Sequence, residues 1–150
     1  MRFHGQSLRR GRVSLPGHAY LLTTVTHNRR PLFASWQAGH VVAREIHATA
    51  RLARIDSWAW VLMPDHLHWL IQLNDASLES LMQAFKSRSA ILLNRTEASC
   101  GQVWQKGYHD RAVRKDEDIR ELARYIVANP LRAGLVNRIG DYPWWDAAWL

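Results

Sequence analysis

The chain has 150 residues, the length of one ordinary domain and enough to bury a core. Its 47% hydrophobic content and eight tryptophans exclude a disordered chain, and its single cysteine, Cys100, excludes an intrachain disulfide framework. Lys and Arg total 20 against 13 Asp and Glu, for a net charge of +7 and a pI near 10.3. That balance makes nucleic acid the first partner to consider, although incidental basicity fits the same numbers.

Residues 1–150 read as a single domain, without repeats or low-complexity linkers. Residues 1–17 carry Arg2, Arg9, Arg10 and Arg12 among glycines and Pro16, and read as a basic arm or a disordered tail. Residues 18–27 are β-branched and aromatic and predict a first strand. Residues 35–55 predict a helix, with Val42, Ile46, Ala50 and Ala53 at helical spacing. Residues 57–63 are a second strand, Pro64 and Asp65 a tight turn, and residues 66–73 a third strand. In that third strand Leu67, Trp69, Ile71 and Leu73 share an apolar face that packs on helices.

Ser77 is placed to cap a second helix, with Leu78, Leu81, Met82, Phe85 and Leu92 inward. Residues 102–114 predict a fourth strand, bent near Gly107. Asp116 is expected to cap a last helix, with Ile119, Leu122, Ala123, Ile126 and Val127 as its stripe, which Pro130 ends or kinks. Residues 137–150 read as a packed tail. The order β-α-β-β-α-β plus a C-terminal helix predicts an α+β, ferredoxin-like fold on a central antiparallel sheet.

Two signals carry chemistry. His66 and His68 alternate on one strand, so both imidazoles leave the same face beside a hairpin turn, where they can hold one divalent cation or form a solvated polar face. The position a histidine-triad hydrolase needs is Leu70, which weakens that reading. Tyr125 and Asn129 lie one turn apart at the edge of the last helix's stripe. A phenol becomes a useful nucleophile beside a cation, and an amide oxygen is a hard ligand suited to Mg²⁺ or Mn²⁺. A boundary aromatic with a hydrated hydroxyl fits the spacing equally. Tyr20, Tyr108 and Tyr142 read as structural.

The segment MPDHLHWL, with VWQKGYHDRAVR and ARYIVANPLRAGLV downstream and THNRRPLF upstream, resembles the REP-associated tyrosine transposases. These are relatives of the IS200-like, single-tyrosine transposases of the HUH superfamily. The resemblance runs from about Pro16 to Trp145. It implies that His66, His68 and Asn129 hold Mg²⁺ or Mn²⁺ and that Tyr125 attacks a single-stranded DNA phosphodiester. The products would be a 5′-phosphotyrosine and a free 3′-OH, which a second 3′-OH can reverse to join strands. Family substrates are imperfect palindromes folded as DNA hairpins.

Arg29, Arg30, Lys86, Arg88, Lys106, Arg111 and Arg114 are the candidate DNA contacts, with Arg95 and Lys115 nearby, and solvated surface charge is the alternative for each. The functional expectation is a DNA nicking and joining enzyme, monomeric or homodimeric, in the cytoplasm at the nucleoid. The alternatives are a hairpin-binding protein that cuts poorly and a phosphodiesterase that uses water in place of the tyrosine.

Overall fold

The computed structural model describes residues 15, 17–97, 99–114 and 117–149. Residues 1–14 and 16 of the basic arm, with Lys115 and Asp116, lie outside them. Five strands form one antiparallel sheet: β1 (Ala19–Val25), β2 (Asp56–Met63), β3 (His66–Gln72), β4 (His109–Ala112) and β5 (Trp145–Ala147), in the order β4-β1-β3-β2-β5. Four helices accompany it: α1 (Trp36–Ala53), α2 (Leu78–Thr96), α3 (Ile119–Val127) and the short α4 (Asn129–Arg132). The first four strands and three helices follow the expected ferredoxin-like order.

The helix starts follow from local chemistry. The Ser35 hydroxyl accepts from the Ala38 amide at 3.3 Å and the Ser77 hydroxyl from the Ser80 amide at 3.1 Å, each satisfying one orphan donor. The apolar face of β3 does pack on helices: Trp69 is fully buried and meets Phe85 of α2 edge-on at 5.5 Å. On the same face His47 of α1 meets Trp60 of β2 at 5.7 Å. The opposite face, with Ala59, Val61 and Leu70 all buried, is covered by α3, which packs on β2 through Ala123, Ile126 and Val127.

Four expectations need correction. The fourth strand is only His109–Ala112; before it, Gly107 takes φ 76° and turns the chain, leaving Trp104 in a single bridge to Thr26. The cap of α3 is Asp118, whose Oδ1 accepts from the Arg120 amide at 2.8 Å. On α2 the buried leucine is Leu93, at 3% exposure, while Leu92 is 37% exposed. The buried row steps Phe85, Ser89, Leu93, and Ser89 is accommodated because its hydroxyl donates to the Phe85 carbonyl and accepts from Trp104 Nε1. The tail contains the fifth strand, which pairs with β2 from Ala59↔Ala147 to Val61↔Trp145.

The tail is anchored further by Tyr142, whose buried hydroxyl donates to the Leu62 carbonyl at 2.5 Å, and burial pushes its pKa up to about 12. Trp144 packs at 4.5 Å on Trp36, the rings tilted by 39°, and lies against Gly39 so closely that a Cβ there would overlap its indole ring.

Candidate active site

The turn that joins β2 to β3 is pinned from both sides. The Thr26 amide donates to the Asp65 carbonyl at 3.0 Å, and the Phe33 amide donates to the Pro64 carbonyl at 3.0 Å. The turn and register then set the two imidazoles. His66 and His68 are half-buried, with ring centroids 4.8 Å apart and planes at 79°. Each ring has its Nδ1 engaged: His66 Nδ1 donates to Asp65 Oδ1 at 2.7 Å, and His68 Nδ1 meets Thr23 Oγ1 at 2.8 Å. An ionised carboxylate only accepts, so His66 carries its proton on Nδ1 and keeps the Nε2 lone pair for a cation.

Thr23 lies directly across from His68 in the β1–β3 register, so a hydroxyl on the neighbouring strand engages the second ring and holds its orientation. Burial above all, then the charge His66 carries when protonated and that of Arg132, lower the His68 pKa to about 4, so its neutral, ligand-competent form prevails at neutral pH. Burial alone would raise the Asp65 carboxyl. The His66 hydrogen bond and the His66 and Arg29 charges outweigh it and hold Asp65 below its usual range. Arg29 Nε lies 3.2 Å from Asp65 Oδ2, completing an Arg29–Asp65–His66 chain.

Tyr125 stands on α3 with 62% of its surface exposed, at the edge of the buried stripe as its spacing requires. The Arg132 guanidinium carbon lies 3.9 Å from its ring centroid. α3 packs on β2 over the sheet face opposite that of Trp69 and α2, and His66 and His68 project from this same face, so phenol and imidazoles share one side of the sheet. Between Tyr125 and Arg132 the helix breaks at Ala128, with φ −81° and ψ 0°, and α4 begins at Asn129-Pro130, the kink expected before a proline. Asn129 is half-buried, and its Nδ2 donates to the Ile126 carbonyl at 3.0 Å, leaving the amide oxygen for a ligand.

A cation fits this set: two imidazoles with Nδ1 occupied and one amide oxygen offer neutral N and O donors to a borderline or hard ion. No third His, Cys, Asp or Glu joins a metal-ready cluster among the described residues.

The basic candidates divide. Lys86 donates to the Gln105 and Gly107 carbonyls at 2.7 Å each, and burial lowers its pKa to about 8, so it ties α2 to the segment before β4. Arg88 pairs with Glu45, a buried carboxylate of α1. Arg30 donates to the Gln102 carbonyl at 2.6 Å. Arg111 bonds Glu117 at 2.8 Å and Arg114 approaches the same carboxylate at 3.7 Å. The hydrogen bond from Arg111, then that from the Arg114 amide, hold Glu117 down to about 2. Lys106 is exposed. Sequence reasoning missed Asp65 as more than a turn residue, and it passed over Thr23 and Arg132 altogether. The strand register places Thr23 opposite His68, and Arg132 follows Tyr125 by two helical turns, so both were recoverable in principle.

No helix among the described residues is long and apolar enough to cross a membrane. The chain is 26% identical over 134 residues to the REP-associated tyrosine transposase of Escherichia coli K12, covering 88% of this chain and 78% of that one. Its fold matches a solved REP-associated tyrosine transposase bound to a REP hairpin, with a TM-score of 0.75, 23% identity, and coverage of 97% of this chain and 82% of the other. A chain from Deinococcus radiodurans R1, provisionally described as a transposase, matches with a TM-score of 0.56 at 20% identity, over 86% of this chain and 97% of that one. The family model for IS200-like transposases matches residues 14–129, most of the chain. The chain therefore belongs to the IS200-like transposase family.

Proposed function

We propose that this protein is a divalent-metal-dependent endonuclease and strand transferase. It acts on single-stranded, hairpin-forming DNA of the REP type, in the cytoplasm at the nucleoid. Tyr125 is the nucleophile, and His66, His68 and Asn129 hold Mg²⁺ or Mn²⁺. The single observation that supports the reading best is the shared face: two adjacent imidazoles project from the side of the sheet on which α3, bearing an exposed phenol under a guanidinium, packs. A cation there would polarise the scissile phosphate.

The chain's own residues do the rest. Tyr125 Oη attacks phosphorus, the 3′ oxygen departs and takes up a proton, and the phosphotyrosine keeps the bond energy for rejoining. Asp65 fixes the His66 tautomer, and Thr23 holds the His68 ring in place. Lys106, with Arg111 and Arg114 beside it, supplies phosphate contacts that position the strand without reading its sequence.

The test is a hairpin oligonucleotide with randomised single-stranded flanks, incubated with the protein and Mn²⁺ or Mg²⁺ and run on a denaturing gel. A protein–DNA adduct that Tyr125→Phe abolishes is the expected result. Cleavage that survives the substitution points to water as nucleophile. Binding without cleavage points to a hairpin-binding protein. His68→Ala should stop cleavage while leaving hairpin affinity close to that of the parent, because phosphate contacts dominate affinity.

A further inference from the structure

Arg132 follows Tyr125 by seven residues, two helical turns, and helical side chains lean toward the N-terminus, so it reaches back over the earlier residue across the Ala128 break. Its guanidinium carbon lies 3.9 Å from the Tyr125 ring centroid. Arg29, Arg88, Arg111, Arg114 and Arg138 each lie against a carboxylate. Among the described residues Arg132 forms no such ion pair, so its charge is not neutralised where it stands. That charge lies over the Tyr125 ring, on the helix pair that covers the histidine-bearing face of the sheet.

A guanidinium presents donors in a fork that matches two phosphate oxygens. The attack of Tyr125 on a phosphodiester builds negative charge on the non-bridging oxygens, and a preorganised cation there stabilises the transition state more than the ground state. Stacking on the phenol ring holds the group ready at little reorganisation cost and sets the plane of the ring.

We propose that Arg132 is a catalytic residue that binds a non-bridging oxygen of the scissile phosphate while Tyr125 attacks. This rests on the tyrosine transferase reading above. In the step it serves, the Oη–P bond forms and the P–O3′ bond breaks. The phenolic proton is lost to solvent, and the departing 3′ oxygen takes one up. The guanidinium neither gains nor loses a proton.

The experiment measures single-turnover adduct formation at saturating Mn²⁺ for the parent protein, Arg132→Ala and Arg132→Lys. Two substrates are used, a normal hairpin oligonucleotide and one with a methylphosphonate at the cleavage position mapped from the parent adduct. On the phosphodiester, Arg132→Ala should be slower by about 100-fold and Arg132→Lys by less. On the uncharged methylphosphonate there is no anionic oxygen to pair, so the difference between parent and Arg132→Ala should shrink to less than about fivefold.

An equal loss on both substrates would mean that Arg132 only orients the ring, and no loss on either would remove it from the reaction; each result overturns the proposal. Arg132→Lys, which keeps the charge and the aliphatic stem, serves if the alanine variant does not fold. A parent protein that forms no adduct on any hairpin refutes the transferase reading itself, and Arg132's role falls with it.

Discussion

Asp65→Asn isolates the contribution of the residue behind the first imidazole. The carboxylate accepts from His66 Nδ1 at 2.7 Å and from Arg29 at 3.2 Å, and an amide keeps the shape while removing the charge. The bond to His66 is charge-assisted, roughly twice as strong as a neutral one. An asparagine can also present its NH₂ to Nδ1 and so favour the wrong tautomer, with the proton on Nε2 where the cation should sit. Loss of such an outer partner costs roughly 10- to 100-fold in metal affinity, about 1.4–2.7 kcal/mol. The partner of His68 is a neutral hydroxyl, so Thr23→Val should cost less, about 1 kcal/mol or some fivefold. Arg29→Gln acts only through Asp65 and should cost least. Calorimetric titration of Mn²⁺ into the DNA-free protein reads all three without relying on cleavage. An Asp65→Asn protein that keeps its near-ultraviolet spectrum and binds Mn²⁺ within twofold of the parent would refute the reasoning, as would a reversed order of the three variants.

Gly39→Ala should destabilise by about 1–3 kcal/mol, although alanine is favoured over glycine in a helix interior by roughly 1 kcal/mol. The new Cβ would overlap the Trp144 ring; urea midpoints check this, and the sign should invert to stabilising in a Trp144→Ala background. The metal-free protein should lose stability in acid. His68 protonates at about 4 when folded but at its ordinary 6.5 when unfolded, so the stability it contributes is present above pH 6.5 and is lost as pH falls toward 4. Between pH 7 and 5 the loss should be about 2 kcal/mol, absent in a His68→Asn variant by the same urea assay.

What was legible followed strong periods. The alternation of β3 put both histidines on one face and Leu67, Trp69 and Ile71 on the other, and the Ser77 cap stood where a polar residue precedes an apolar run. Most of the misses share a cause: the deciding partner is remote in sequence. Leu93 rather than Leu92 is buried because Ser89 joins the core through Trp104, and a serine inside an apolar row hides the register. β5 has three residues in a tail rich in tryptophan and without alternation; only the exposed edge of β2 makes it a strand. Lys86 and Arg88 read as candidate DNA contacts because neither Glu45 nor the carbonyls near Gly107 can be located from the sequence. Asp65 looked complete as a turn residue, yet its side chain also serves the imidazole one residue on.

The two halves of the site are held with very different firmness. β3 pairs along its whole length with both β1 and β2, so His66 and His68 cannot move without breaking the centre of the sheet. Tyr125 rides on nine residues of α3 whose fully buried side chains are Ala123, Ile126 and Val127. Burying those three contributes at most about 5 kcal/mol, while ordering nine backbone residues costs on the order of 9 kcal/mol or more, so α3 persists only while docked and its detachment is a low-energy opening. A transferase has a use for that asymmetry, since the phenol must attack one strand and then be released by another while the cation site stays fixed. Amides within 119–132 should therefore exchange with solvent through local opening at rates insensitive to mild denaturant, whereas those of 67–71 should exchange only through global unfolding. Native-state hydrogen exchange followed by mass spectrometry reads both segments together, and equal protection in the two would show that the nucleophile is carried as rigidly as the imidazoles.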